Sequence, residues 1–386
     1  MDAKAQRGGE AIILGIESSC DETAAAVVRS GRDMLSNVVF SQITTHVAYG
    51  GVVPELASRE HLRAIAPIVR QAVGDAGLSY ESLDAIAVTQ GPGLAGALLV
   101  GITFAKALAF AFEKPLIAVN HIAGHIHAVL MEMERGGERM EFPQLALVVS
   151  GGHTHLYLVE HSIQRAKGLA YSYRNLGRTL DDAAGEAFDK VAKLLGLPYP
   201  GGPVIDALAP HGNPHAVKFA LSRIKEKIYR KQQGDGAPRV DFSFSGIKTA
   251  VLRYVELNGM QPGIEARREI AQAPIEAWKN SCDRQALDLI ASFQSAVVND
   301  LITKTLRAAE ITSPHGIIVS GGVAANSELR RSFIERAAKH GLPVHFPARG
   351  LSTDNAAMIA AAAYPKYLQE EFAETHFNAE PNLALG

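Results

Sequence analysis

Short apolar runs recur along the chain, each closed by a turn of glycine, hydroxyl or acidic residues. They are Ile12 to Ile16, Ala24 to Val28, Asn37 to Ser41, Asp84 to Thr89, Pro115 to Val119, Leu145 to Val149, Leu156 to Val159 and Gly316 to Val319. Their length and lack of strict alternation predict short strands, most of them buried on both faces. Helical periodicity fills other stretches. Pro54 suits a first helical turn, and Leu56, Ile65, Ile68 and Val69 mark the apolar side of the helix it opens. A helix is also expected from His121, another from the acidic stretch after Asp181 to near Gly196, and an alanine-rich one from Ala356 to Ala363.

The turns at the ends of these strands carry the candidate chemistry. His121-Ile122-Ala123-Gly124-His125 follows the strand at 115–119. Two histidines four apart on a helix share a face about 6 Å apart along its axis, close enough to grip one ion. Neutral imidazole ligates zinc or iron, and a facial site adds a carboxylate from elsewhere. The same pattern also fits a helix start with two half-buried histidines. Asp354, just before the alanine-rich helix, is a rigid place for such a carboxylate, with Ser352 or Thr353 as the expected cap.

Val-Ser-Gly-Gly occurs twice, at Val149-Ser150-Gly151-Gly152 and Val319-Ser320-Gly321-Gly322, each at the end of an apolar strand. Such turns leave backbone amides bare and admit a ligand closely, so the pair suggests one nucleotide site with two glycine walls. The turn Glu17-Ser18-Ser19-Cys20-Asp21-Glu22-Thr23 offers hydroxyls and acids for a cation or a proton, or is simply a polar hairpin turn. Gly91, Gly93 and Gly96 have dinucleotide-fingerprint spacing but no acid on a following strand, and tight packing explains them equally well. Asp181 and Asp182 read as helix caps, Asp189 lies deeper in that helix, and Pro200-Gly201-Gly202-Pro203 reads as a sharp turn placing Asp206 just beyond it.

Composition narrows the classes. In 386 residues with 47% hydrophobic, two domains are expected. A net charge of −2 excludes a globally basic nucleic-acid binder, so a polyanion has to be met by a local patch. The best local patch is Lys218, Arg223, Lys225, Lys227, Arg230 and Lys231, running into a linker-like stretch to Arg239. Two cysteines, Cys20 and Cys282, suit a reducing compartment. Without a membrane-length apolar run or a secretory core in Met1 to Glu10, a cytoplasmic location is expected.

Taken in order, these stretches resemble the tRNA N6-adenosine threonylcarbamoyltransferase family, TsaD in bacteria. The marks are Gly15 to Thr23, Tyr49-Gly50-Gly51-Val52-Val53-Pro54-Glu55, Gly91-Pro92-Gly93-Leu94, His121 to His125, Val149 to Thr154, Asp181 to Lys190, Phe242-Ser243-Phe244-Ser245-Gly246 and Thr353-Asp354-Asn355. The resemblance implies an actin/Hsp70/sugar-kinase-like α/β fold of two lobes facing each other across a nucleotide and metal cleft. The expected lobes are 11–118 with the helix at 353–370, and 119–350. It implies a divalent metal, Fe2+ or Zn2+, on His121, His125 and Asp354. Threonylcarbamoyl-AMP, or another adenine nucleotide, is expected at Val148, Val149, Ser150, Gly151, Gly152, Asp189, Gly202, Asp206 and Asn326. Glu22, with Asp21, is the candidate to take the N6 proton. Expected partners are tRNA, TsaB and TsaE, with TsaC supplying the intermediate. Two positions depart from the family pattern: Asn120 stands where a histidine is common, and Arg178 where an acid or amide is common. The rival readings are a metalloprotease, an ATPase or sugar kinase of the same fold, and a nucleotide-binding scaffold. Ile122 occupies the place of a protease's general-base glutamate, and a histidine pair is foreign to magnesium-phosphate ATPases.

Overall fold

The computed structural model describes residues 10–164, 168–219, 240–270, 273–374 and 376–386. The described residues build two compact units. One is drawn from Met1–Pro143, Val159–Arg174 and Pro347–Gly386, the other from Gln144–Leu158 and Asn175–Phe346. The lobes expected from sequence divide at 118/119, whereas these units divide at 143/144. The helix that follows residue 120 stays with the first unit because it packs on the alanine-rich helix there. The basic stretch from Arg223 to Arg239 and the first nine residues lie outside the described residues, which include only Lys218 of that patch.

The first unit is a five-stranded sheet in the order β3-β2-β1-β4-β5, formed by β1 (Ile12–Glu17), β2 (Glu22–Arg29), β3 (Asp33–Ser41), β4 (Ala85–Gly91) and β5 (Leu116–Asn120). The first three strands form an antiparallel meander, and β4 and β5 run parallel to β1. Side chains alternate across the sheet, so β1 sends Ile13 to one face and Leu14 and Ile16 to the other. Leu14, Ile16, Ile86 and Val88 pack under α1 (Pro54–Asp75) and α2 (Ala95–Ala111). Ile13, Ala85, Ala87, Ile117 and Val119 pack under α3 (His121–Arg135) and the alanine-rich helix Ala356–Leu368. Both faces are therefore dry, which is why these strands read as continuous apolar runs.

The second unit holds the sheet order β10-β9-β6-β7-β8. Its strands are β6 (Gln144–Val149), β7 (Thr154–Gln164), β8 (Gly168–Arg178), β9 (Gly316–Ser320) and β10 (Val344–His345). By residue membership, 159–174 of β7 and β8 belong to the first unit. Strands β6 and β9 are parallel neighbours, with Val148 opposite Ser320, so the two Ser-Gly-Gly turns leave the sheet side by side. Leu145, Leu147, Val149, Ile317 and Val319 share one core with α4 (Ala184–Leu194), α5 (Gly201–Leu208), α6 (Ser245–Leu257), α7 (Arg284–Thr312) and α8 (Ser327–Ala338).

Three local expectations are corrected. Asp181 and Asp182 do not cap their own helix, since α4 begins at Ala184. Asp181 instead accepts from Phe244 N (2.8 Å), Ser245 N (3.2 Å) and the Ser243 and Ser245 hydroxyls (2.6 and 2.7 Å), so it caps α6, while Asp182 pairs with Lys190. Residues 200–203 are not a free turn: α5 starts at Gly201, and Pro203 sits in its first turn, where a missing N–H costs nothing. The alanine-rich helix, α9 (Ala356–Leu368), is capped by Asn355, not by Ser352 or Thr353. Asn355 accepts from Met358 N (3.0 Å) and donates to Thr353 O (2.9 Å), closing the turn from both sides.

Helix α9 lies against β1 at backbone range because its contact positions are alanine and Gly15 has no side chain. A Cβ on Gly15 would run into Ala356 O and Ala360 N. Gly15→Ala should therefore cost about 2 kcal/mol of unfolding free energy, as overpacking in a rigid core does. Gly246→Ala, where nothing lies within 4 Å of the added atom, should stay within about 0.5 kcal/mol of the parent. Urea unfolding of the two variants checks the contrast.

Candidate functional site

In the first unit, α3 starts where β5 ends, and Asn120 is the hinge between them. Its side-chain oxygen accepts from Ile122 N (2.9 Å) and Ala123 N (3.4 Å), which caps the helix and fixes where its first turn points. The residue that departs from the family pattern thus supplies a cap. His121 and His125 stand on that first turn, 3% and 0% exposed, with ring centroids 4.7 Å apart. Asp354 arrives from the turn before α9. Its Oδ1 lies 3.2 Å from His125 Nε2 and 3.6 Å from His121 Nε2. One ligand atom from each of the three residues falls within 4.8 Å of the others.

A residue without an assigned role in the sequence reading completes the arrangement. Glu17, at the end of β1 and fully buried, puts Oε2 3.0 Å from His121 Nδ1 and accepts from Thr89 Oγ1 at 2.7 Å. Ser19 Oγ also lies 3.2 Å from His121 Nδ1. Burial works against charge on His121, but Asp354 and Glu17 outweigh it and push its pKa up to about 9. Burial would raise the Glu17 pKa, yet His121 beside it overrides this and holds the carboxylate ionised. With Nδ1 turned to Glu17, the Nε2 of His121 is the atom presented to Asp354.

His125 is the test of fit for an ion. Both of its ring nitrogens are buried and neither makes a hydrogen bond, although Nε2 faces a carboxylate. A buried polar atom left unsatisfied costs about 1–3 kcal/mol. Two imidazoles and an aspartate grouped in this way match the donor set of a divalent transition ion. Glu17, Asp21, Glu22 and Asp354 bring four carboxyl groups together here. Burial, together with Asp21 and Asp354, raises the Glu22 pKa to about 10, so Glu22 holds its proton at neutral pH and shares a hydrogen bond with Asp21. Burial and the same acids push the Cys20 thiol well up, which makes it a poor nucleophile.

The glycines of the 91–96 loop are spent on packing. A Cβ on Gly91 would meet Glu380 O, one on Gly93 would meet Ser19, and one on Gly96 would meet the Ser58 hydroxyl.

In the second unit, several of the residues expected at a nucleotide tie the ends of β6 and β9 to the starts of neighbouring helices. Ser150 O accepts from Gly185 N (3.2 Å) at the start of α4. Asp189, further along α4, accepts from Gly201 N (2.7 Å), next to Gly202. Asp206 takes Ser327 N (3.1 and 3.0 Å) and its hydroxyl (2.8 Å). Asn326 caps α8 through Leu329 N (2.9 Å) and donates to Gln294 (2.8 Å). Gly321, at φ +92°, returns the path to Val149, where an added Cβ would collide. No neighbour would lie within 4 Å of a Cβ on Gly151, Gly152, Gly202 or Gly322, so each of these glycines faces open space. The carboxyl ends of parallel strands are where open α/β sheets bind ligands.

A model of the tRNA N6-adenosine threonylcarbamoyltransferase family, TsaD, matches residues 33–361. The chain is 63% identical over 383 residues to the tRNA N6-adenosine threonylcarbamoyltransferase of Koribacter versatilis, covering 97% of this chain and 99% of that protein. It is 48% identical over 377 residues to the protein of the same name from Moorella thermoacetica, covering 97% and 98%. Full-length HypF, solved in its phosphate- and nucleotide-bound form, aligns with 95% of this chain and 47% of its own, with a TM-score of 0.52 at 13% identity. That likeness is one of fold.

Beside the first glycine turn, His155 hydrogen-bonds Tyr157 OH at 3.3 Å, and burial, helped by Arg178, pushes its pKa down to about 4. The unfolded chain therefore takes up this proton near pH 6.5, well before the folded one does. Stability should fall as pH drops from about 6.5 towards 4, by up to about 1.4 kcal/mol per unit from this residue. His155→Gln should flatten that slope in urea unfolding compared at pH 7 and pH 5.

Proposed function

The chain belongs to the tRNA N6-adenosine threonylcarbamoyltransferase family, and from that premise we propose how its residues divide the work. It is a transferase of the actin/sugar-kinase-like fold class that modifies adenosine in tRNA. The transferred group comes from threonylcarbamoyl-AMP and goes to the exocyclic N6 of the adenosine beside the anticodon in tRNAs reading ANN codons. The observation that carries this reading is the buried, hydrogen-bond-free imidazole of His125 facing Asp354 and His121.

His121, His125 and Asp354 hold one divalent ion, Fe2+ or Zn2+. Such an ion supplies Lewis acidity for a carbonyl or a departing phosphate. Glu17 fixes the His121 tautomer and keeps the ring from turning. The bare amides of the Ser150-Gly151-Gly152 and Gly321-Gly322 turns cradle AMP, with Val148 and Val149 forming the floor beneath them. Asp189 and Asp206 keep α5 and α8 in place around that cradle, and the lone pairs they retain accept from ribose or adenine. Gly202 admits the nucleotide closely, and Asn326 sets the direction of the α8 amides. Of the two acids expected to take the N6 proton, Glu22 already holds one, so the accepting oxygen is on Asp21. The protein works in the cytoplasm with TsaB and TsaE, on intermediate supplied by TsaC. Among the described residues, no helix is long and apolar enough to cross a membrane.

Incubation of the protein, its partners and threonylcarbamoyl-AMP with unmodified tRNA, followed by mass analysis of the nucleosides, should yield threonylcarbamoyladenosine; an unmodified digest would refute the assignment. His121→Ala or Asp354→Ala should abolish metal retention and transfer together. Glu17→Gln should weaken metal binding by about 10- to 100-fold while leaving the three ligands intact. Metal content and transfer rate of the three variants separate these outcomes.

A further inference from the structure

Residues 378–384 cross the first unit and touch both turns that hold His121. At the turn after β4, Glu380 N donates to Gln90 O (2.9 Å), and the Gln90 amide donates to Glu380 Oε1 (2.8 Å) and Asn378 O (3.3 Å). Gly93 N donates to Pro381 O at 3.1 Å. That turn in turn grips Ser19, because Leu94 N donates to Ser19 O (2.8 Å) and Gly93 has no room for a side chain against Ser19. Ser19 is the residue whose hydroxyl meets His121 Nδ1. At the turn after β5, the Asn120 amide donates to Ala384 O (3.2 Å) and Leu383 O (3.5 Å), while its oxygen caps α3. Leu385, beyond these contacts, is buried.

We propose that residues 378–384 are a positioning strap for the His121 and His125 centre, clamping the β4 turn and the β5 cap together from outside the ligand set. Asn120 is its key contact: one end of the amide orders the first turn of α3 and the other end is held by the strap. Neither the strap nor Asn120 supplies a ligand atom, so the effect is one of orientation. The inference rests on the metal reading of that site, and its test is arranged to fail separately.

Asn120→Ser keeps a good helix cap but has no amide to reach residues 383 and 384. Deletion of 383–386 keeps Asn120 and removes its acceptors. In each variant, hydrogen exchange at the Ile122 and Ala123 amides should rise about fivefold, as should the dissociation constant for added zinc, which is the loss of about one net hydrogen bond. The two changes combined should do no more than either alone, because they break the same clasp. Unchanged exchange at both amides in Asn120→Ser would overturn the strap. Zinc that fails to bind the unaltered protein would overturn the metal reading, with the exchange data still deciding the clasp. Should the deletion unfold the protein, Asn120→Ser alone carries the test.

Discussion

The active face of the first unit rests on a charge problem placed inside a protein. Glu17 is a carboxylate with no exposed surface, and Asp354 is largely covered. Desolvating two like charges at short range is costly unless a cation stands between them. Burial opposes charge on His121, but Asp354 and Glu17 raise its pKa. The ion proposed for this site would also meet His125, whose ring nitrogens have no hydrogen-bond partner. The rest of the unit follows from holding these four side chains still: Asn120 aims α3, Asn355 aims the turn before α9, and Thr89 pins Glu17.

The second unit solves a different problem with backbone. Its candidate ligand residues are mostly amides and glycines, and its acids are spent on keeping helix starts in place. Asp181, Asp189 and Asp206 each accept from the amide of another segment, so the carboxylates act as fasteners between elements. That use leaves the glycine turns open while their surroundings stay rigid.

Much of this was legible in the sequence, for reasons that differ by residue. The histidine pair was visible because helical geometry converts a spacing of four into one face. The two Ser-Gly-Gly turns were visible as a repeat, but their adjacency was not, because β6 and β9 are joined by a crossover carrying several helices and strand order is a non-local property. Glu17 went unassigned since an acid at the end of an apolar strand looks like the first residue of a polar turn. The usable signal was that the residue belongs to the strand, so its side chain has to face a core. Asp181 was misread for a related reason: first-turn acids usually serve their own helix, and here the recipient, α6, lies more than sixty residues away in sequence. At the start of α9, the Asn355 amide takes the place expected for the neighbouring hydroxyls of Ser352 and Thr353.

Helix α9 is written in almost the simplest alphabet a helix has, and such a stretch invites the judgement that its letters are interchangeable. The close approach at Gly15 says otherwise. Ala356 and Ala360 sit directly against Gly15, where not even one added methyl fits, so the monotony there records a tolerance limit. In a diverging lineage this plain segment has to hold its lettering, because the aspartate before it is aimed by how closely the helix lies on the sheet.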